Sequence, residues 1–213
     1  MLTARGSITV LTDNTVPERS ETLAEHGFAA LVQTQAGNLL FDTGRGRTVV
    51  HNAAVLKKDL ARIDKIVLSH AHGDHTGGPP EVLQVLQGKN TDVLAHPEVF
   101  AERVRDAQGK RVFGGIPYQR GYLEKMGARF VFNREVVEVD DRVFLTGEVP
   151  RDTPFEAATG ANAASCGTGT SNPTGSWTIS PSSSPKGHPV AARLCPLRDH
   201  QRHPSRASCD RNG

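Results

Sequence analysis

The run Ser69-His70-Ala71-His72-Gly73-Asp74-His75-Thr76-Gly77-Gly78 puts three histidines and an aspartate within six residues, directly after the apolar Ile66-Val67-Leu68. Neutral imidazole is the commonest biological metal ligand, and mixed His/Asp donor sets suit zinc and its neighbours. His70 and His72 are two apart on a chain still nearly extended, so their side chains point the same way and can share one metal. Gly73 lets the loop turn, and Asp74 and His75 then face a second position beside the first. Two metals about 3.5–4 Å apart can share a water, lower its pKa and polarise a phosphoryl or carbonyl oxygen. Asp74 is also the candidate catalytic carboxylate. The bland alternative, surface histidines beside a helix-capping Asp, requires three of the chain's nine histidines to fall in this register by chance.

The elements around this cluster read as α/β. Ser7 to Leu11 is a strand ended by Thr12-Asp13-Asn14, and residues 28–34 and 38–42 form a hairpin about Gln35-Ala36-Gly37. Apolar spacing at Val49, Ala53, Val55, Leu56 and Leu60 predicts a helix over 49–60. Lys65 to Leu68 is the short strand feeding the metal loop, and Pro79 opens a helix that stops near Gly88. Asp92 to Ala95 is a strand leading to His96-Pro97. Helices are expected over 98–107 and 117–126, then strands over 128–133, 135–139 and 142–146. Strand and helix alternate as in a layered α/β fold.

Composition narrows the classes. The chain has 213 residues and a formal charge of +2, with Lys+Arg 25 against Asp+Glu 23. That balance gives no case for nucleic acid or an acidic membrane surface, and no apolar run approaches the ~20 residues of a membrane span. With no apolar leader after Met1, a cytoplasmic location is expected. A small-molecule substrate is the expected partner, and oligomeric state is left open.

Further motifs accompany the cluster in order: Asp13-Asn14, Glu25-His26-Gly27-Phe28, Leu40-Phe41-Asp42-Thr43-Gly44, Ile66-Val67-Leu68-Ser69-His70, Ala95-His96-Pro97, Thr146-Gly147-Glu148, and Pro150-Arg151-x-Thr153-Pro154-Phe155-Glu156. With His70-x-His72-x-Asp74-His75, this series resembles the metallo-β-lactamase-fold superfamily. Within it, the series is similar to metal-dependent hydrolases related to dihydropterin-ribofuranosylaminobenzene-phosphate synthase, from about residue 7 to Glu156. The resemblance implies a layered αββα fold, of which residues 1–156 would be the N-terminal half. It implies a two-metal zinc site, with Mn or Fe as alternatives, and a metal-bound hydroxide acting on a small phosphorylated or ester-like substrate. His70 and His72 would serve one metal and Asp74 and His75 the other, with Asp42 below them orienting a ligand. His96, Asp13 and Asn14 become candidates for metal support or substrate contact. Their ordinary readings are a strand-end histidine bonded to backbone and simple turn chemistry. His26 and His51 read as structural or surface residues, and Gly44, Gly77 and Gly78 as backbone freedom around the site.

After Glu156 the text changes. Residues 157–213 hold nine Ser, six Pro and six Gly, with only Ile179, Val190, Leu194 and Leu197 among Ile, Val, Leu and Phe. The composition reads as a disordered, low-complexity tail. Cys195, His200, His203 and Cys209 could bind metal, but their spacing matches no zinc module. A third reading goes further. Arg193 to His203 can be spelled in codons that, read one nucleotide on, give Gly-Cys-Ala-His-Ser-Gly-Ile-Ile-Asn-Ala. That string resembles the family's next metal-ligand motif, so the expectation is a tail out of frame, the shift lying between Glu156 and Arg193. A truncated, catalytically silent product with weak or no metal binding is then the alternative to an active hydrolase. Sequencing the DNA across codons 157–213 tests this. One single-nucleotide shift should restore the motif, and finding none refutes the idea.

Overall fold

The computed structural model describes residues 6–140, 143–148 and 179–181. Its centre is a six-stranded sheet in the order β1-β2-β3-β4-β5-β8, made of β1 Ser7–Thr12, β2 Ala29–Gln33, β3 Asn38–Phe41, β4 Lys65–Val67, β5 Thr91–Ala95 and β8 Ala128–Phe132. The first three strands pair antiparallel, and β3, β4, β5 and β8 run parallel. Parallel strands need crossovers, and the helices α1 Val49–Val55, α3 Pro79–Val85 and α4 Arg120–Lys125 supply them.

The inner strands are apolar on both faces, and period two sorts their side chains. Ala29, Leu31, Leu40, Ile66, Val93 and Ala95 face a core shared with Val49 and Ala53 of α1, Val82 and Leu83 of α3, and Leu123 of α4. Val32, Leu39, Phe41, Val67 and Leu94 face the other way, onto Val139, Val143 and Leu145. Those three belong to a small second sheet, ordered β11-β10-β9, of β9 Val137–Asp140, β10 Val143–Leu145 and β11 Ile179–Pro181. Lys65 Nζ, at the start of β4, donates to the Val139 carbonyl and ties the two sheets together. A bare sheet would leave this apolar face to solvent, so its cover is the arrangement burial demands.

Three expectations are corrected. The helix expected over 98–107 is instead a turn followed by a hairpin of β6 Val104–Ala107 and β7 Lys110–Phe113. Its two-residue loop, Gln108-Gly109, has φ of 56° and 79°, the mirror-image turn that hairpins favour. The helix expected to reach Leu60 stops at Val55, because the chain turns at Lys57 with φ 55° and re-forms only as a 3-10 turn at Leu60–Arg62. The helix expected from 117 starts at Arg120, because Gln119 is extended. Of the stretch 157–213, residues 179–181 are described, as β11, and the rest lies outside the described residues, including Cys195, His200, His203 and Cys209. Among the described residues no helix is long and apolar enough to cross a membrane.

Candidate metal centre

The carboxyl ends of the parallel strands, where open α/β sheets place their ligands, carry the predicted residues. Asp42 follows β3, Ser69 to His75 follow β4, and His96 follows β5. Beyond β4 the chain bends through Ser69, His70 and Ala71, is extended at His72 (φ −64°, ψ 141°), and then turns into the one-turn helix α2 Gly73–Thr76. This bent segment brings His70 Nε2 within 3.1 Å of His72 Nδ1, and α2 stands the His75 ring 4.2 Å from the His70 ring, centroid to centroid.

Asp42 organises both halves. It is fully buried, and its φ of 57° turns the chain out of β3 so that its carboxylate meets the next loop. Oδ1 accepts from the Ser69 backbone N–H at 2.7 Å, and Oδ2 from Ser69 Oγ and from His75 Nδ1, each at 2.7 Å. These bonds fix tautomers. The carboxylate only accepts, so Ser69 Oγ spends its proton on Asp42 and must accept from His70 Nδ1, 2.8 Å away. His70 Nε2 and His75 Nε2 are thereby left with lone pairs. Burial, with the charges of His75, His72 and Arg103 adding, pushes the His70 pKa well below its ordinary value. Burial alone would lower His75 too, but the Asp42 hydrogen bond and charge, with Asp74 assisting, raise it. A proton therefore competes with a metal more strongly at His75 than at His70.

Asp74 completes the second pair, with Oδ2 3.7 Å from His75 Nε2 and 3.3 Å from His26 Nδ1. His26 was expected to be structural or a surface residue. It is exposed, yet it touches this carboxylate from a loop some 48 positions earlier (74 − 26). The contact depends on Gly27, where a Cβ would sit 2.4 Å from the Asp74 carbonyl oxygen, and on Phe28 N–H, which donates to that same oxygen. Asn14 Oδ1 accepts from Gly27 N–H at 3.1 Å and so steadies this loop.

Against known proteins, the family model of the metallo-beta-lactamase superfamily matches residues 23–169. The chain belongs to this superfamily. It is 31% identical over 151 residues to an uncharacterized protein of Methanocaldococcus jannaschii, covering 70% of this chain and 56% of that one. It is 27% identical over 132 residues to the same organism's 7,8-dihydropterin-6-methyl-4-(beta-D-ribofuranosyl)-aminobenzene-5'-phosphate synthase, covering 59% of this chain and 45% of that one. The second match supports the branch that the motifs resemble. A solved metal-dependent hydrolase of the beta-lactamase superfamily superposes with a TM-score of 0.52 at 22% identity, over 86% of this chain and 56% of that one, and shows the shared fold. The chain thus spans about half the length of the curated relatives it matches.

Metallo-beta-lactamase kinship implies metal, and the donors fit one. Two nitrogens each about 2.0–2.1 Å from a tetrahedral zinc stand roughly 3.3–3.4 Å apart. The His70–His72 pair stands at 3.1 Å as a hydrogen bond with its proton on His72 Nδ1, so holding an ion there takes a slight opening and the other tautomer of His72. Among the described residues no three His, Cys, Asp or Glu side chains converge to hold one ion. Two other candidates bond to partners outside the cluster. His96 is buried, its Nδ1 accepting from Glu98 N–H at 3.1 Å and its Nε2–H facing Glu148 Oε1 at 2.7 Å, with Arg134 bridging Glu148 and Glu98. Both ring nitrogens are engaged inside that network. Asp13 caps its own turn, accepting from Asn14 N–H at 2.6 Å. Asp42→Asn keeps the shape of Asp42 but puts a second donor against the Ser69 and His75 donors. Zinc affinity, read by competition with a chromogenic chelator, should fall roughly 10–100-fold. Unchanged affinity would deny Asp42 its orienting role.

Proposed function

We propose that the chain is a metal-dependent hydrolase acting on a small phosphorylated or ester-like molecule, with His70 and His72 holding one metal and Asp74 and His75 the other. The observation that carries this is the pair of adjoining donor sets oriented by one buried carboxylate. When bound, such metals, zinc foremost and Mn or Fe as alternatives, lower the pKa of a water and polarise a phosphoryl or carbonyl oxygen. The chain's own residues prepare that chemistry. His70 is kept neutral, Asp42 and Ser69 fix its tautomer, and Asp74 brings a carboxylate to the same mouth as ligand and proton acceptor. A relative named for a ribofuranosyl phosphate compound supports a phosphorylated substrate.

Two donors per metal is fewer than the three protein ligands usual for a catalytic zinc. Affinity for zinc is thus the quantity on which activity turns. The purified full chain should carry zinc by elemental mass spectrometry and hydrolyse bis(4-nitrophenyl) phosphate or 4-nitrophenyl acetate. His72→Ala should shed zinc and lower turnover by at least about 100-fold, more than loss of a supporting partner costs. A wild-type chain that binds zinc weakly and turns over neither ester supports the catalytically silent alternative instead.

A further inference from the structure

A cavity of about 490 Å³ opens beside the metal centre, lined by Leu23, Glu25, His26, Arg45, Arg47 and Thr48 among others. Its volume falls within the range of small-molecule sites. His26 connects it to the chemistry, since its Nδ1 lies 3.3 Å from Asp74 Oδ2. The walls are fixed from behind. Buried Asn52 donates to the Leu23 carbonyl and accepts from Leu23 N–H, both at 2.8 Å, and also donates to the Leu11 carbonyl. Thr48 Oγ1 bonds Thr12 Oγ1 at 2.9 Å.

The charges in this pocket do not cancel. Glu25 spends its two carboxylate oxygens on backbone, Oε1 accepting from Arg45 N–H at 2.9 Å and Oε2 from Arg47 N–H at 3.3 Å. Those bonds hold the Arg45-Gly46-Arg47 loop, while neither guanidinium forms an ion pair with a carboxylate among the described residues. A second cavity, about 540 Å³ and lined by Phe100, Phe113, Tyr118 and Arg120 among others, differs in this respect. Its Arg120 is paired with Glu124 and lies over the Phe132 ring. Guanidinium forks match phosphate oxygens in geometry and stay charged at every working pH.

We infer that the pocket between residues 23–26 and 45–48 is an anion subsite, in which Arg45 and Arg47 hold a phosphate group of the substrate that is not the group being cleaved. The inference rests on the hydrolase reading for the identity of the ligand as substrate, but the pocket and its charges stand without it. The substrate class is then a small ester carrying a phosphate monoester remote from the scissile bond.

The test is calorimetric titration of the full chain with inorganic phosphate, the zinc content of each preparation being measured beforehand. Wild type should bind with a Kd of about 1 mM or tighter. The double variant Arg45→Gln/Arg47→Gln should bind at least about tenfold more weakly, with zinc content and far-ultraviolet circular dichroism unchanged. His72→Ala separates the two sites. Phosphate binding that persists in His72→Ala and is lost in the double variant supports the subsite. Binding lost in His72→Ala and kept in the double variant belongs to the metals and overturns it, as does a wild type that binds no phosphate. A chain that binds phosphate through the arginines but no zinc refutes the hydrolase reading and leaves the subsite standing.

Discussion

A single buried carboxylate sets the geometry on which everything else depends. Asp42 accepts three hydrogen bonds of 2.7 Å from two chain segments, the Ser69 backbone and hydroxyl at the end of β4 and the His75 ring in α2. Burying an ionised carboxylate is costly unless its oxygens are satisfied, and here the satisfying groups are the ones that must be oriented. The left-handed backbone at Asp42 belongs to the same constraint. Asp tolerates that conformation better than most residues, and strained backbone of this kind gathers where a side chain has to be aimed.

The sheet makes this clamp possible by delivering its parts to one edge. Parallel pairing of β3, β4 and β5 puts Asp42, the His70–His75 loop and His96 at neighbouring strand ends. The strand ends then divide the work. The first two carry the proposed metal donors, whereas His96 is drawn into a network with Glu148, Arg134 and Glu98 that joins β5, β8 and the chain after β10. That network, with the Lys65–Val139 bond, holds the second sheet against the first. The second apolar face of the central sheet is therefore covered by Val139, Val143 and Leu145.

Much of this was legible in the sequence because the signals were local. His70 and His72 stand two apart just beyond an apolar strand, and the structure places their nitrogens 3.1 Å apart, although through bends at Ser69, His70 and Ala71 rather than along an extended chain. The strands around them announced themselves as short apolar runs bounded by turns. The errors lay where local pattern was ambiguous or the decisive contact was distant. Residues 98–107 have enough apolar spacing to suggest a helix, and the hairpin signal, Gly109 after Gln108, lay just beyond. His26 could not be placed at Asp74 from spacing, because the contact runs through Gly27 packing on a backbone oxygen. The tautomers of His70 and His75 were equally invisible, since they follow from which atoms Asp42 and Ser69 accept and donate.

The central claim is that His70, His72, Asp74 and His75 are the metal donors of this chain. X-ray absorption at the zinc edge of the loaded full chain tests it most directly. The account predicts a shell of nitrogen and oxygen only, near 2.0–2.1 Å, with about two imidazoles for the first zinc bound. A sulfur shell near 2.3 Å would place the metal on cysteine, and Cys166, Cys195 and Cys209 all lie after the donor cluster, so that result would contradict it.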